Sequence, residues 1–520
     1  MAMIFNGRVG PLEIRRRPDT DRGFLRVVCT QPMSPDPQWR NYNLTQYNQF
    51  ILSLWEPLVE CDPVTGQPLP AVAESWQLSP DQLTMTVHLR ARARWSNGDP
   101  VTAGDFVRSW LRLLKQNREL GEILAPLKNS RAFQKGELRP GQRVGVYAID
   151  DLTLQIELEK PRPTLMMELA DPVLSPLHKT NEAAFESKSY LETGPALVTN
   201  GPFRMVRANY DGYRMETNPH YWDAAAVKLA GLQFVRADSS RVGELMLAAG
   251  LVDFLAPTPL GKEHEFLTSR PFVVKSEFEP TIHSININTA RPPLGDGRVR
   301  QALALALNRE ESIEAHDRGH LIPAWSWVPE MPGRAGLKLL KEDPAEARRL
   351  LAAAGYPGGR GFPVLQWSIM KQQRPNHFAQ DWAERWFREL GVRTYITYEG
   401  PQKSKERMKT GDYDLSYSRV TATVPDAGDL LGVFNWPVEI TGTNWSDQEV
   451  TDWLAGANAT EGAEHLALLE KVERRVMAEL SCIPVMFERR QTMLASEVHG
   501  WYPDPLSREN LKRLSLAPDL

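Results

Sequence analysis

Between Ser75 and Leu114 the chain reads SWQLSPDQLTMTVHLRARARWSNGDPVTAGDFVRSWLRLL, an order that few architectures accommodate. Thr84 to Arg90 alternate in polarity, the period of a half-buried strand. Ser96-Asn97-Gly98-Asp99-Pro100 is turn chemistry, after which the spacing becomes helical. Strand, turn and helix are expected in that order. Thr102 stands at the N-cap position with Asp105 three residues on, near the positive end of the helix dipole. Phe106, Val107, Trp110, Leu113 and Leu114 share one helical face. That face is expected in a core with Trp76 and Trp95, and the stretch reads as scaffold without chemistry of its own.

At 520 residues the chain is longer than a single growing core supports, so two or three lobes are expected. Its 61 basic and 65 acidic residues leave a net charge of -4, which gives nucleic acid no electrostatic hold. Arg15-Arg16-Arg17 is a short run of the kind found on solvated surfaces. No apolar run approaches the roughly 20 residues that cross a bilayer; Ala302 to Leu307 is far too short, so a soluble chain is expected. The start, MAMIFNGRVGPLEIRRR, lacks the basic-then-apolar pattern of a secretory leader. Two readings follow: an export signal removed beforehand, with Met1-Ala2 a remnant, or a cytoplasmic protein. Cys29, Cys61 and Cys482 cannot all pair within one chain and none lies in a CxxC, so at least one free thiol is expected.

Taken in order, Phe24 to Cys29 reads as a strand, followed by a polar connection through Pro32, Pro35 and Pro37. Phe50 to Leu58 reads as a short helix, and Leu152 to Leu158 as an alternating strand stopped by Pro161 and Pro163. Arg204 to Tyr210 and Tyr213 to Thr217 flank Asp211-Gly212, a strong hairpin signal. Ser284 to Asn288 alternates as a strand. Asp343, Pro344 and Glu346 supply an N-cap, a first-turn proline and a capping-box partner for a helix closed by Gly355. Strands Val364 to Met370 and Thr394 to Glu399 flank a helix from His377 to Leu390, a βαβ-like unit with a parallel pair. A further helix spans Glu464 to Leu480.

These segments closely resemble the oligopeptide/dipeptide/nickel-binding proteins of ABC importers, extracellular solute-binding family 5. The resemblance is carried by AVAESW with TVHLRARARWSNGDPVTAGDFVRSWLRLL, LWEPLVE, NPHYWDAAAVKLAGLQFV, ELMLAAGLVDF, VRQALALALNR and the strand Ile483-Pro484-Val485-Met486, and it runs from residue 24 to the end. It implies an α/β, two-lobed periplasmic-binding-protein type II (cluster C) fold with an additional satellite domain. The implied lobes are 1–57, 196–278 and 485–520 for the first, 58–195 for the satellite and 279–484 for the third. It also implies capture of a peptide or another small polar solute by hinge closure, a membrane permease as partner, a monomer, and a periplasmic or extracellular location with or without a lipid anchor.

Enzyme signatures are missing: there is no HExxH, GxxxxGK[ST] or GxSxG, nor a GxGxxG after a strand. His283, His316, His320 and His377 are scattered without metal-ligand spacing, and no His/Met cluster argues for nickel or haem, so no cofactor and no metal are expected. The resemblance places Asn43, Leu44 and Thr45 beside the ligand, and Tyr417, Arg419, Val420, Thr423 and Asp426 in or next to the cleft segment. Family members carry an acid for the ligand's α-ammonium where this chain has Thr423, and a cysteine where it has Thr421, the second half-cystine position being expected at Pro280. Asp426 is expected mainly to order its loop. A buried ammonium without an anion costs several kcal/mol. The ligand is therefore either a peptide held by its main chain or a non-peptide solute such as a sugar or metal complex. Trp325 and Trp327 are candidates for stacking on a ligand, with packing as the other role. A peptidase, or a cytoplasmic sensor or chaperone-like protein on the same fold, are the rival functions.

Overall fold

The computed structural model describes residues 22–39, 44–62, 64–116, 120–186, 194–257, 272–317, 319–331, 333–371, 376–502, 504, 506 and 508–517. The chain divides into two compact units, one running through Glu277 and resuming at Arg490, the other spanning Phe278–Arg489.

In the first unit, β1 (Phe24–Cys29) is buried at every position. Helix α1 (Leu44–Leu54) begins and ends earlier than the spacing suggested. The residue before Pro57 is barred from helical backbone, and the Glu56 N–H goes instead to Asn200 Oδ1 at 3.1 Å. A ribbon of β2 (Val59–Cys61) and β3 (Pro68–Pro70) follows. Then β4 (Ala73–Leu78), β5 (Thr84–Leu89), β6 (Val146–Asp150) and β7 (Thr153–Glu157) form an antiparallel sheet in the order β4-β5-β7-β6. Helix α2 (Ala103–Gln116) buries Phe106, Trp110, Leu113 and Leu114, with Val107 half-buried. Its start is tied in reverse of the expected cap: Asp105 Oδ2 accepts from the Thr102 N–H at 2.9 Å, the Thr102 hydroxyl at 3.1 Å and Trp95 Nε1 at 3.2 Å. Trp95 and Trp110 are core, whereas Trp76 lies only half-buried at the margin of the cluster.

β8 (Phe203–Asn209) and β9 (Gly212–Thr217) make the hairpin signalled by Asp211-Gly212. β10 (Gly231–Arg236) pairs antiparallel with β9 and parallel with β1, and β11 (Phe254–Leu255) lies on the other side of β1. Arg26, the one charged residue of β1, is satisfied inside the core: its Nη2 meets Asp253 Oδ1 at 2.6 Å and its Nη1 donates to the Gly250 carbonyl at 2.7 Å.

The motifs LWEPLVE and NPHYW meet in space. Glu56, 1% exposed, accepts from the Tyr221 hydroxyl and from Trp222 Nε1 at 2.6 Å. Lys512 reaches Glu56 Oε1 at 3.3 Å and also Glu60, whose other oxygen takes Arg513 Nη2 at 2.6 Å. These sequence marks hold the end of the chain onto the first unit.

β12 (Phe272–Ile287) leads into the second unit. Its sheet is completed by β13 (Leu321–Pro323), β14 (Leu365–Met370), β15 (Thr394–Glu399), β16 (Leu415–Thr421) and β17 (Cys482–Ala495), which returns the chain to the first. β14 and β15 run parallel, as the βαβ pattern required, with the connecting helix at Asn376–Leu390. The helix Pro344–Ala353 is capped by Asp343, whose Oδ1 accepts from the Glu346 N–H at 3.0 Å. The expected return bond does not form, because the Asp343 N–H donates to the Leu305 carbonyl at 3.0 Å, and the Glu346 side chain pairs with Arg349 at 2.6 Å. All three cysteines are free thiols.

Candidate functional site

β16 reads Leu-Ser-Tyr-Ser-Arg-Val-Thr, in which Tyr417, Val420 and Thr421 are strand-favouring residues. β12 covers one of its sides completely, from Thr281↔Thr421 to Ile287↔Leu415. On the other side β14 meets it only at Leu415 and Ser416. Residues of an antiparallel pair alternate between those bonded across the ladder and those turned away. The Ala422 N–H donates to the Pro280 carbonyl at 2.8 Å and the Asn288 N–H to the Asp414 carbonyl at 2.9 Å, so the ladder bonds to β12 fall at even positions of β16. Arg419 and Thr421 therefore turn their N–H and C=O groups away from β12, toward a side that no described strand covers past Ser416. That is an open strand edge within the second unit.

The side chains along this edge are tied to one another. Tyr417 is buried, and its hydroxyl lies 2.5 Å from His283 Nδ1. Burial, with the Glu488 charge adding to it, pushes the phenol far above its usual pKa. His283 Nε2 faces Glu488 Oε1 at 2.6 Å. Arg419 grips the same carboxylate with both arms, each at 2.7 Å, and lies 3.7 Å from Glu279. Burial by itself would raise the Glu488 carboxyl, but the Arg419 guanidinium and His283 hold it far below the usual range. Val420 is half-buried on the opposite face of the strand.

Thr423 is exposed just past the strand. Its N–H and hydroxyl both donate to Asp429 Oδ2, at 2.5 and 2.9 Å. Asp426 caps the short helix α3 (Ala427–Leu431) through the Gly428 N–H at 2.7 Å, and its Oδ2 faces His465 Nε2 at 2.8 Å. Asp426 and the Ala457 carbonyl raise the pKa of His465, against the effect of its burial. That elevation stabilises the folded state fully below the ordinary histidine pKa and is lost as pH rises through the elevated value. Hydrogen exchange at the amides of 427–431 is therefore expected to accelerate, beyond the intrinsic base-catalysed increase, as pH rises above the ordinary histidine pKa in the native chain and not in His465→Gln.

In the first unit, Asn43 lies outside the described residues, Leu44 opens α1 with its side chain outside them, and Thr45 is buried in the first turn. A shallow recess opens at the carboxyl ends of β1 and β10, lined by Cys29, Gln31, Pro32, Tyr213 and Arg236. In open α/β sheets that is the end where ligands bind.

The structure thus joins Tyr417 to Arg419 through His283 and Glu488, and Thr423 to Asp429, whereas Asp426 goes to Gly428 and His465 rather than to Thr423. Sequence reasoning passed over Glu488 and Asp429. The signal for Glu488 was its place one strand over from His283, visible only once the sheet is paired. Thr421 faces Thr281, one residue beyond the expected Pro280, and the two hydroxyls bond at 2.9 Å. Trp327 is packing: it is 1% exposed and its Nε1 donates to the Leu430 carbonyl at 2.9 Å. Trp325 is half-buried, with Arg309 over its ring at 5.6 Å. His316 and His377, scattered in sequence, stack at 5.5 Å, with His316 on Asp381 at 2.6 Å. Among the described residues no group of three or more His, Cys, Asp or Glu could hold a metal ion, and no helix is long and apolar enough to cross a membrane.

Comparison with known proteins agrees with this architecture. The profile of the bacterial extracellular solute-binding proteins, family 5, matches residues 67–439. The periplasmic oligopeptide-binding protein OppA of Salmonella typhimurium is 28% identical over 491 residues, 89% of this chain and 87% of that one. The periplasmic murein peptide-binding protein MppA of Escherichia coli is 29% identical, over 75% of this chain and 74% of its own. Among solved structures, the unliganded open form of a murein tripeptide-binding MppA superposes with a TM-score of 0.83 at 24% identity, over 95% of this chain and 97% of that one. OppA of Burkholderia pseudomallei superposes with a TM-score of 0.68 at 23% identity, over 95% and 99%. With most of its length matched by the family profile and its sheets arranged as in these structures, the chain belongs to the bacterial extracellular solute-binding proteins, family 5.

Proposed function

We propose that this protein is the substrate-binding component of an ABC importer and that it captures peptides, working as a monomer in the periplasmic or extracellular space and passing its ligand to a membrane permease. It binds and releases, and makes or breaks no bond. Family membership and relatives named for oligopeptides and murein peptides support the assignment. The observation that carries it is the open edge of β16. An extended peptide offers main-chain donors and acceptors at the strand repeat, and Arg419 and Thr421 present the complementary row. Main-chain pairing tolerates any side-chain sequence, which is what a general peptide scavenger needs. The ligand row is Tyr417, Arg419, Val420 and Thr423, with Asp426 ordering the turn beyond them; Asn43, Leu44 and Thr45 supply the first unit's share. Residues 58–195, with their own sheet β4-β5-β7-β6, act as a satellite lobe. The chain passes between the two units through β12 and β17.

Thr423 in place of an acid favours a second reading, in which the solute is polar but not a peptide. Thr421→Pro separates the two. The substitution removes an N–H that β12 does not use, and proline is tolerated on such an edge. The melting temperature is expected to stay within a few degrees. Calorimetric affinity for tri- to pentapeptides is expected to fall about tenfold, the loss of one hydrogen bond plus the clash of the ring. Undiminished peptide affinity would mean that the ligand is not paired along this edge.

A further inference from the structure

On the face of β16 opposite Tyr417 and Arg419, Ser416 and Ser418 belong to a buried layer of small polar side chains that bond one another. The Ser418 hydroxyl lies 2.8 Å from that of Ser284 and 3.2 Å from Asn286 Oδ1, which also accepts from Ser284 at 2.7 Å. Asn286 Nδ2 donates to the Thr441 carbonyl at 2.8 Å. Ser416 stands opposite Asn286 in the ladder, but that amide is already taken. The Ser416 hydroxyl has no partner among the described residues, although the residue is only 5% exposed. The same holds for the hydroxyl of Tyr413, 1% exposed. Burial alone pushes the Tyr413 phenol up to about 12, so it keeps its proton and needs an acceptor.

The two oxygens converge on Gly442, which follows the helix Val438–Thr441 with its backbone in the left-handed region at φ 68°. At the point where a Cβ on that glycine would lie, the three nearest atoms are Met408 Cε and Ser416 Oγ, each at 2.9 Å, and Tyr413 Oη at 3.2 Å. We propose that one internal water is bound beside Gly442, accepting from the Tyr413 hydroxyl and bonding Ser416 Oγ. This goes beyond peptide capture and does not rest on it. Buried polar groups are satisfied by protein or by ordered water, and a water supplies the acceptor the phenol needs together with a partner for the serine. It reaches oxygens about 2.8 Å away, so both hydroxyls can meet it without meeting each other. The atoms nearest that point carry no charge, and a buried ion would require an opposite one, so the ligand is neutral. Glycine at 442 keeps the room: a Cβ there would press on both oxygens. Ser416 is also the last residue of β16 that β14 covers. The water therefore ties the root of the open edge to the turn after Val438–Thr441.

The direct test is a crystal structure of the native chain at a resolution that shows ordered water. One water within hydrogen-bond distance of both Tyr413 Oη and Ser416 Oγ is expected; direct contact between the two hydroxyls, or no density between them, would overturn the proposal. Thermal unfolding of Tyr413→Phe, Ser416→Ala and the double variant reads the same water energetically. Each single substitution is expected to lower the melting temperature by about 2–4 °C, the loss of one net hydrogen bond. The double variant should fall no further than the larger single loss, because either change releases the same water. Were the hydroxyls dry, each substitution would delete a buried polar group that has no partner, and the melting temperature would rise. A rise in either single variant, or losses that simply add, would refute the site.

Discussion

Lys512→Met is expected to destabilise the first unit by about 3–5 kcal/mol, the cost of leaving buried charge without its partner. Lys512 is 8% exposed and lies between Glu56 and Glu60, with the Tyr221 hydroxyl 2.9 Å away. Burial opposes its charge, but the two carboxylates more than compensate and raise its pKa well above the ordinary lysine value. Methionine fills the same volume and supplies no cation. Glu60 keeps Arg513, whereas Glu56 loses its only described cation and must take up a proton or remain as a buried anion. Glu56 also holds Tyr221 and Trp222, so the disturbance spreads to the segment that follows β9. Urea unfolding followed by tryptophan fluorescence reads the effect. A midpoint within 0.2 M of the native value would show that the cluster contributes nothing net.

Stability is expected to fall between pH 5 and 8, against the usual pattern of acid denaturation. At the ends of the crossing strands, Arg490 meets Glu277 Oε1 at 2.8 Å through Nε, and also Glu509 and the Asp504 carbonyl. Two buried carboxylates thus share one guanidinium, whose charge also reaches the buried Asp504 carboxyl. Burial pushes Glu277 up to about 8, only partly opposed by Arg490, with Glu509 and Asp504 pushing the same way. Glu509, Asp504 and Glu56 are likewise raised, each chiefly by burial. Between the unfolded value of 4.5 and about 8 the folded chain therefore binds more protons than the unfolded one, and the unfolding free energy must decrease as pH rises. Each pH unit of that window is worth about 1.4 kcal/mol per group, so the loss is on the order of 2–4 kcal/mol. Glu277→Gln should flatten the slope, since the amide is uncharged throughout. Equal urea midpoints at pH 5.5 and 8 would refute the assignment. The oppositely shifted Glu60 and Glu488 lose their contribution only below the ordinary carboxylate range, outside this window.

Much of the fold was legible because its signals are local. The apolar face of α2, the Asp211-Gly212 hairpin and the Asp343 cap follow from spacings within a single element or turn, and the parallel β14–β15 pair from the stretch Leu365 to Glu399. The misreadings lie where a local rule met a distant competitor. The Asp343 N–H goes to the Leu305 carbonyl rather than to Glu346, and Trp76 gains only partial cover because its strand lies at the edge of its sheet. α1 ends before Pro57 because Asn200 takes the Glu56 N–H.

The candidate site divides along the same line. Taken alone, the sequence marked, through its resemblance to the family, the segment around Tyr417 to Asp426 as part of the cleft, with Thr423 standing where relatives carry an acid, because residue identity at a motif position is read directly along the chain. Only the tertiary structure decided that β14 leaves β16 after Ser416 and so opens an edge. It alone brought Glu488 to His283 across 205 residues and Lys512 to Glu56 across 456, and set Asp429 beside Thr423. Strand pairing and buried ion pairs are chosen by which surfaces meet once the chain has closed long loops, and residue order alone carries no record of that choice.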